Sequence, residues 1–207
     1  MSAGSLREAL SVIPPVEWIA VALALAYLVF AVRQHIACWF FAAASSAIFL
    51  WLFARAGLAM QSLLQLFYIA MAAYGWYSWR GGRSSSQESR PVVRWPLRRH
   101  LAAVAGILLV STSAWVWAAG DSASVRYVDA VTAWGSVLAT WLVARKVLEN
   151  WLYWIVLDLM AAGLYWSQDL LATALLFVLY SAIAVHGYRS WRASLKAPRP
   201  VTAVAGS

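Results

Sequence analysis

The chain repeats itself at a fixed offset of 112 residues, and that repeat limits its fold more than any other feature. Glu17 matches Asp129, Arg33 matches Arg145, and Trp39 matches Trp151. Leu63-Leu64 matches Leu175-Leu176, Tyr68 matches Tyr180, and Gly75 matches Gly187. Ser78-Trp79-Arg80 matches Ser190-Trp191-Arg192, and no gap is needed from residue 17 to residue 80. Leu and Ala coincide easily in an apolar chain, whereas Arg, Trp, Tyr and Gly do not. Two copies of one unit therefore set the architecture. In a membrane protein such copies often place a substrate site between them.

The chain is a membrane protein by composition. Hydrophobic residues make up 63% of it, charged residues 12%, and the mean hydropathy is +0.69. A soluble domain of this length has no interior large enough for that much apolar surface. Fourteen Trp and nine Tyr suit bilayer interfaces, where an apolar ring carries one polar atom. The net charge of +8 does not point to nucleic acid, because the basic residues cluster between apolar segments. Cys38 is the single cysteine, so no intrachain disulfide forms. The N-terminus lacks the basic start and cleavage site of a signal peptide, and the first apolar segment is expected to be retained.

Seven helices are expected, at about 16–32, 37–53, 58–79, 101–119, 127–144, 150–166 and 170–187. Residues 81–96, with Gly81-Gly82 and Ser84-Ser85-Ser86, read as an exposed linker. Residues 193–207, with Pro198 and Pro200, read as a disordered tail. Repeat one covers about 16–80, the linker and fourth helix 81–120, and repeat two about 127–192, all in one membrane domain. If the seven segments alternate sides, thirteen of the 16 Lys and Arg fall on one side, Lys146 among them. Arg7, Arg55 and Arg126 fall on the other. The excess places the N-terminus outside and the C-terminus in the cytoplasm. Each repeat holds three helices, and the fourth helix between them restores the chain direction. The fold class is thus all-α, with seven transmembrane helices in a 3+1+3 arrangement and two parallel repeats.

Asp158 is the outstanding residue. It lies about eight residues into the sixth helix, roughly 12 Å along it and close to the bilayer midplane. A carboxylate there costs a few kcal/mol and must face the bundle or water. A substrate contact, a proton relay and an acid bonded to a neighbouring helix are the three readings. Trp151, Trp154 and Asp158 are spaced i, i+3, i+7 and form one stripe, which Tyr165 extends. Aromatic faces beside a carboxylate suit a flat cationic ring. Trp151, at the helix edge, fits an interfacial aromatic belt equally well. Gln61, Gln65 and Tyr68 share a face of the third helix; Gln61 reads as glue between helices, and Gln65 as glue or ligand contact. Thr173, Phe177 and Tyr180 occupy the matching positions in the second copy, so the two faces differ. The candidate substrate-binding residues are Trp154, Asp158, Gln65, Tyr68, Trp151, Phe177 and Tyr180. His35, His100 and His186 have no metal-ligand spacing, and neither a nucleotide loop nor a nucleophile motif is present. An enzyme is therefore not expected, and neither a metal nor another cofactor.

The segment Glu149-Asn150-Trp151-Leu152-Tyr153-Trp154-Ile155-Val156-Leu157-Asp158 resembles the signature of the PnuC family of bacterial vitamin transporters. So do Gln65-Leu66-Phe67 and Tyr74-Gly75-Trp76-Tyr77-Ser78-Trp79, and the resemblance runs from about Trp18 to Trp191. It implies import of nicotinamide riboside, or in some members thiamine or another vitamin, across the bacterial inner membrane. It also implies facilitated diffusion with intracellular phosphorylation as the trap, and a homotrimer with one path in each protomer. Asp158 and Ala72 stand where nicotinamide riboside carriers typically have Asn. Both changes fall where a ligand would be read, and they leave open which vitamin is carried. A membrane scaffold or sensor that transports nothing is the rival class.

Overall fold

The computed structural model describes residues 15–80, 91–117, 123–167 and 171–196. These form seven helices: α1 Pro15–Val32, α2 Cys38–Arg55, α3 Ala59–Arg80, α4 Leu97–Trp117, α5 Ala123–Ala144, α6 Asn150–Trp166 and α7 Leu171–Lys196. Residues 81–90 of the expected linker and 197–207 of the expected tail lie outside the described residues. Residues 193–196, expected in the tail, are instead helical and end α7. Polarity ends an apolar run sooner than it ends a helix: Trp191 is buried, so packing carries α7 past Gly187.

Helix ends follow local rules. Pro15 opens α1, where its missing N–H is not needed. α1 stops at a left-handed residue, Gln34, at φ +56°. His35 N–H then bonds Phe30 C=O, and Gln34 N–H bonds Ala31 C=O. α5 stops the same way at Lys146, at φ +52°, with Val147 N–H on Leu142 C=O and Lys146 N–H on Val143 C=O. α2 uses Gly57, at φ +72°, for the same double-bonded turn. Glycine takes this conformation freely, whereas Gln34 and Lys146 each bear about 1–2 kcal/mol of strain. Gln34 and Lys146 are themselves 112 residues apart.

Six helices close a ring. Going round it, α1, α2, α3, α5, α6 and α7 each pack on the next, and α7 packs back on α1. Among the described residues α4 lies outside the ring, packed on α5 and touching α6 where His100 Nδ1 meets Tyr153 Oη at 3.0 Å. The Trp79 Nε1–H donates to Ala144 C=O at 3.2 Å, so α3 and α5 end together. The Trp191 Nε1–H donates to Ala31 C=O at 3.1 Å, so the last turns of α7 lie beside the end of α1. Trp39 meets Trp79 edge to face at 5.4 Å, and Trp151 meets Trp191 edge to face at 5.5 Å. Gly75 and Gly187 let those two indoles press against the α3 and α7 backbones.

The exterior is apolar and parts of the interior are polar, the reverse of a soluble domain. Leu63, Leu97, Leu109, Val156 and Leu175 point outward, while Ser45, Asn150, Asp158 and Lys146 are buried. α1, α2 and the Tyr127–Ala144 part of α5 are long and apolar enough to cross a bilayer on composition alone. Residues 91–96 are strapped to the bundle. Val93 bridges Val147, and buried Glu149 accepts bonds from Arg94 Nε at 3.0 Å and Trp95 N–H at 3.2 Å. Glu149→Ala strips both donors of their acceptor and is expected to raise tryptic cleavage at Arg94 severalfold, read by mass spectrometry of a timed digest.

Candidate substrate-binding site

All six ring helices contribute to one cavity of about 440 Å³, and none of its lining comes from α4. α1 gives Ala24, Tyr27 and Leu28; α2 gives Trp39, Ala42, Ser45, Ser46 and Phe49. α3 gives Gln65 and Tyr68, α5 gives Thr140, and α6 gives Trp151, Trp154 and Asp158. α7 gives Phe177, Tyr180 and Ala184. The seven residues singled out in the sequence therefore line one space, although they come from three helices far apart in the chain. Gln61 and Thr173 do not line it. Tyr165 is not part of the lining, but it stacks on Phe177 at 5.4 Å and braces that wall.

The lining is paired by the repeat. Leu28 and Thr140, Trp39 and Trp151, Ala42 and Trp154, Ser46 and Asp158, Gln65 and Phe177, and Tyr68 and Tyr180 are each 112 residues apart. Trp39 and Trp151 make the two copies alike at one end, and Tyr68 and Tyr180 do so along the wall. They differ at the other pairs. The second copy presents Trp154, Asp158 and Phe177, where the first presents Ala42, Ser46 and Gln65. One wall is thus aromatic and acidic, and the facing wall is smaller and hydrogen-bonding. An asymmetric ligand with a flat ring and a hydroxylated part matches that division.

The polar groups divide into bonded and unbonded ones. Ser45 Oγ donates to Ala20 C=O at 2.9 Å and is spent within the bundle. Asp158 is 7% exposed, and its carboxylate accepts no hydrogen bond from the described residues. The Nε1–H groups of Trp39 and Trp151 are buried without a partner among the described residues. Buried polar groups normally find partners, and these three belong to residues that line the cavity. Phe177 and Tyr180 stand edge to face at 5.8 Å and extend the aromatic wall.

Tyr27, Trp39, Ser46 and Thr140 are cavity residues that a reading of single helices passes over. The repeat was the signal that could have found two of them, since it pairs Trp39 with Trp151, and Ser46 with Asp158. Asp158 was also expected to be the one evident buried ionisable group. Glu149 and Lys146 are buried as well, Glu149 under the strap and Lys146 at 0% exposure. A larger hollow, about 710 Å³ between α4, α5 and α6, is an apolar groove on the ring's outside and holds none of the seven residues. No group of His, Cys, Asp and Glu suited to a metal occurs among the described residues.

The profile of the nicotinamide mononucleotide transporter family matches residues 14–193. The chain belongs to that family. This transporter is 27% identical to the nicotinamide riboside transporter PnuC of Escherichia coli, over 76% of its own length and 77% of the relative's. It is also 27% identical to the riboflavin/roseoflavin transporter RibM of Streptomyces davaonensis, in a match that spans 59% of each chain. A crystal structure of the vitamin B3 transporter PnuC has the same fold, with a TM-score of 0.67 over 87% of this chain and 82% of that one, at 22% identity. Family membership makes the protein a multi-pass membrane transporter of the bacterial inner-membrane type and not an enzyme.

Proposed function

We propose that the transporter carries a cationic aromatic vitamin by facilitated diffusion, nicotinamide riboside first and thiamine second. The observation that carries this reading is Asp158, a buried carboxylate without a hydrogen-bond donor among the described residues, beside Trp154, Phe177 and Tyr180 in one cavity. Charge and π faces on the same wall attract the same ligand, a cationic ring. Gln65 and Ser46, on the other wall, suit a hydroxyl or amide. The ring stacks on Trp154, and the rest of the molecule reaches across to α2 and α3.

The architecture proposed with it has seven spans in a 3+1+3 arrangement, with the N-terminus outside. Units α1–α3 and α5–α7 run parallel, related by an axis along the membrane normal. The matched turns at Gln34 and Lys146 and the reciprocal indole bonds support this. Rocking of one unit against the other alternates access. A homotrimer with a separate path in each protomer is part of the same reading, supported by the likeness to the family.

Calorimetric titration of the purified protein with nicotinamide riboside, thiamine and riboflavin tests the substrate class. The cations are expected to bind and neutral riboflavin to bind at least about tenfold more weakly, the cost of leaving a buried charge unmatched. Uptake into vesicles is expected to be unchanged by an uncoupler. Preferred binding of riboflavin would overturn the cationic reading, and an uncoupler-sensitive rate would assign Asp158 to proton coupling.

A further inference from the structure

Lys146 combines two features that each cost stability. It holds a left-handed turn position where glycine is at ease, and its ammonium is fully buried. Strain and a buried charge on one side chain persist where they serve a task.

Its surroundings say what the task is. Lys146 Nζ donates to Gln34 Oε1 at 3.4 Å and sits 4.5 Å over the Trp79 ring. Gln34 is its own counterpart in the first unit. The amide of Gln34 cannot turn away freely, because its Nε2–H donates to Ser194 Oγ at 2.9 Å, and Ser194 in turn donates to Trp191 C=O. One chain of bonds thus joins the α5–α6 turn, the α1–α2 turn and the end of α7. Trp39 and Trp151 line the cavity and pack on Trp79 and Trp191, which are 6.2 Å apart. Four indoles and the ammonium therefore lie between the cavity and the arginine-rich end of the bundle.

Resting on the transporter reading above, we infer that the Lys146–Gln34 contact is the latch that closes the substrate path at the arginine-rich end. A cation cannot leave past a buried ammonium. Opening that end parts the two turns, and the four-carbon stem of Lys146 lets its charge reach water at the surface. Lys146 is a gating residue and takes no part in holding the ligand.

Cys38, buried at the start of α2 beside these turns, is a native reporter of opening. The experiment compares wild type, Lys146→Asn, Gln34→Glu and the exchange Gln34→Lys with Lys146→Gln. It measures the rate of Cys38 alkylation by a small maleimide, nicotinamide riboside affinity and vesicle uptake. Asn tolerates the left-handed turn, so Lys146→Asn removes the charge and leaves the backbone at ease. Labelling is expected to rise about tenfold, as for loss of a charged hydrogen bond. Gln34→Glu makes the contact an ion pair and slows both labelling and uptake severalfold at unchanged affinity. The exchanged pair restores the wild-type rate within about twofold, since only a direct contact couples two sites in this way. A merely structural role predicts a more stable Gln34→Glu protein with unaltered uptake. Unchanged labelling in folded Lys146→Asn, or an exchange no better than the single change, overturns the latch. Should Lys146→Asn not fold, Gln34→Glu decides alone: slower labelling supports the latch and an unchanged rate rejects it. Labelling needs no substrate, so it stands apart from a failure of nicotinamide riboside to bind.

Discussion

Asp158→Ala and Trp154→Ala are each expected to lower affinity for a cationic vitamin by about 100-fold or more, while the protein stays folded. Truncating one side of a desolvated charge contact costs roughly 2–5 kcal/mol, and a factor of ten is about 1.4 kcal/mol. An aromatic anchor in a closed pocket belongs to the same range. The two substitutions part company in stability. Asp158 has no hydrogen-bond donor among the described residues, so its charge is a burden on the ligand-free fold. Asp158→Asn, of nearly equal volume, is therefore expected to raise the melting temperature and to weaken binding of a cation. Trp154→Ala opens space in the wall and lowers the melting temperature. Calorimetric titration and a thermal scan on the same preparations read both quantities. Wild-type affinity in Asp158→Ala and Trp154→Ala removes the two residues from the site, and a lower melting temperature for Asp158→Asn assigns the carboxylate to the fold.

The second large effect lies at two glycines. A methyl group on Gly187 would stand 2.7 Å from the Trp151 ring, and one on Gly75 would overlap the Trp39 ring. Neither indole has room to yield, because each is buried and packed edge to face on a second one. In an ordinary helix Gly→Ala gains up to about 1 kcal/mol. Here overpacking costs about 1–3 kcal/mol for Ala and more for Val, so the sign reverses. Gly75→Val and Gly187→Val are expected to yield little monodisperse protein on size exclusion. Gly75→Ala is expected to fall by a few degrees in melting temperature, at about 2–4 °C per kcal/mol for a chain of this length. Gly106, with nothing within 4 Å of an added Cβ, is the control: Gly106→Ala keeps or gains stability. A wild-type melting temperature in Gly75→Ala would mean that the Trp39 ring moves more freely than its packing allows.

Much of this was legible before the fold was known, and the reasons for the misses are specific. The α6 boundaries match the expected Asn150–Trp166, because Glu149-Asn150 and Ser167 interrupt an apolar run at both ends. α4 begins at Leu97 instead of Leu101, and α7 ends at Lys196 instead of Gly187. Both extensions carry Arg, which hydropathy reads as the end of a span although the backbone continues. The seven candidate residues share a cavity because spacing along a helix puts Trp151, Trp154 and Asp158, and Gln65 and Tyr68, on one face each, and the repeat adds Phe177 and Tyr180. Trp39 and Tyr27 were missed because their partners lie on other helices, where spacing says nothing. Lys146 misled most: its sign counted it with the loop charges, whereas a turn pressed against its own counterpart buries it. A count of charges carries no information on depth.

α4 gives the fold a parity rule. It meets the ring chiefly through α5, and its His100 reaches Tyr153 of α6 at 3.0 Å. Yet the indole ties from Trp79 to Ala144 and from Trp191 to Ala31 need α3 and α5, and α7 and α1, to finish at the same face. With one helix fewer between α3 and α5, the chain would enter α5 from the opposite end of the bundle, and neither tie could form. The fourth helix is thus held to its length and to reversing the chain once.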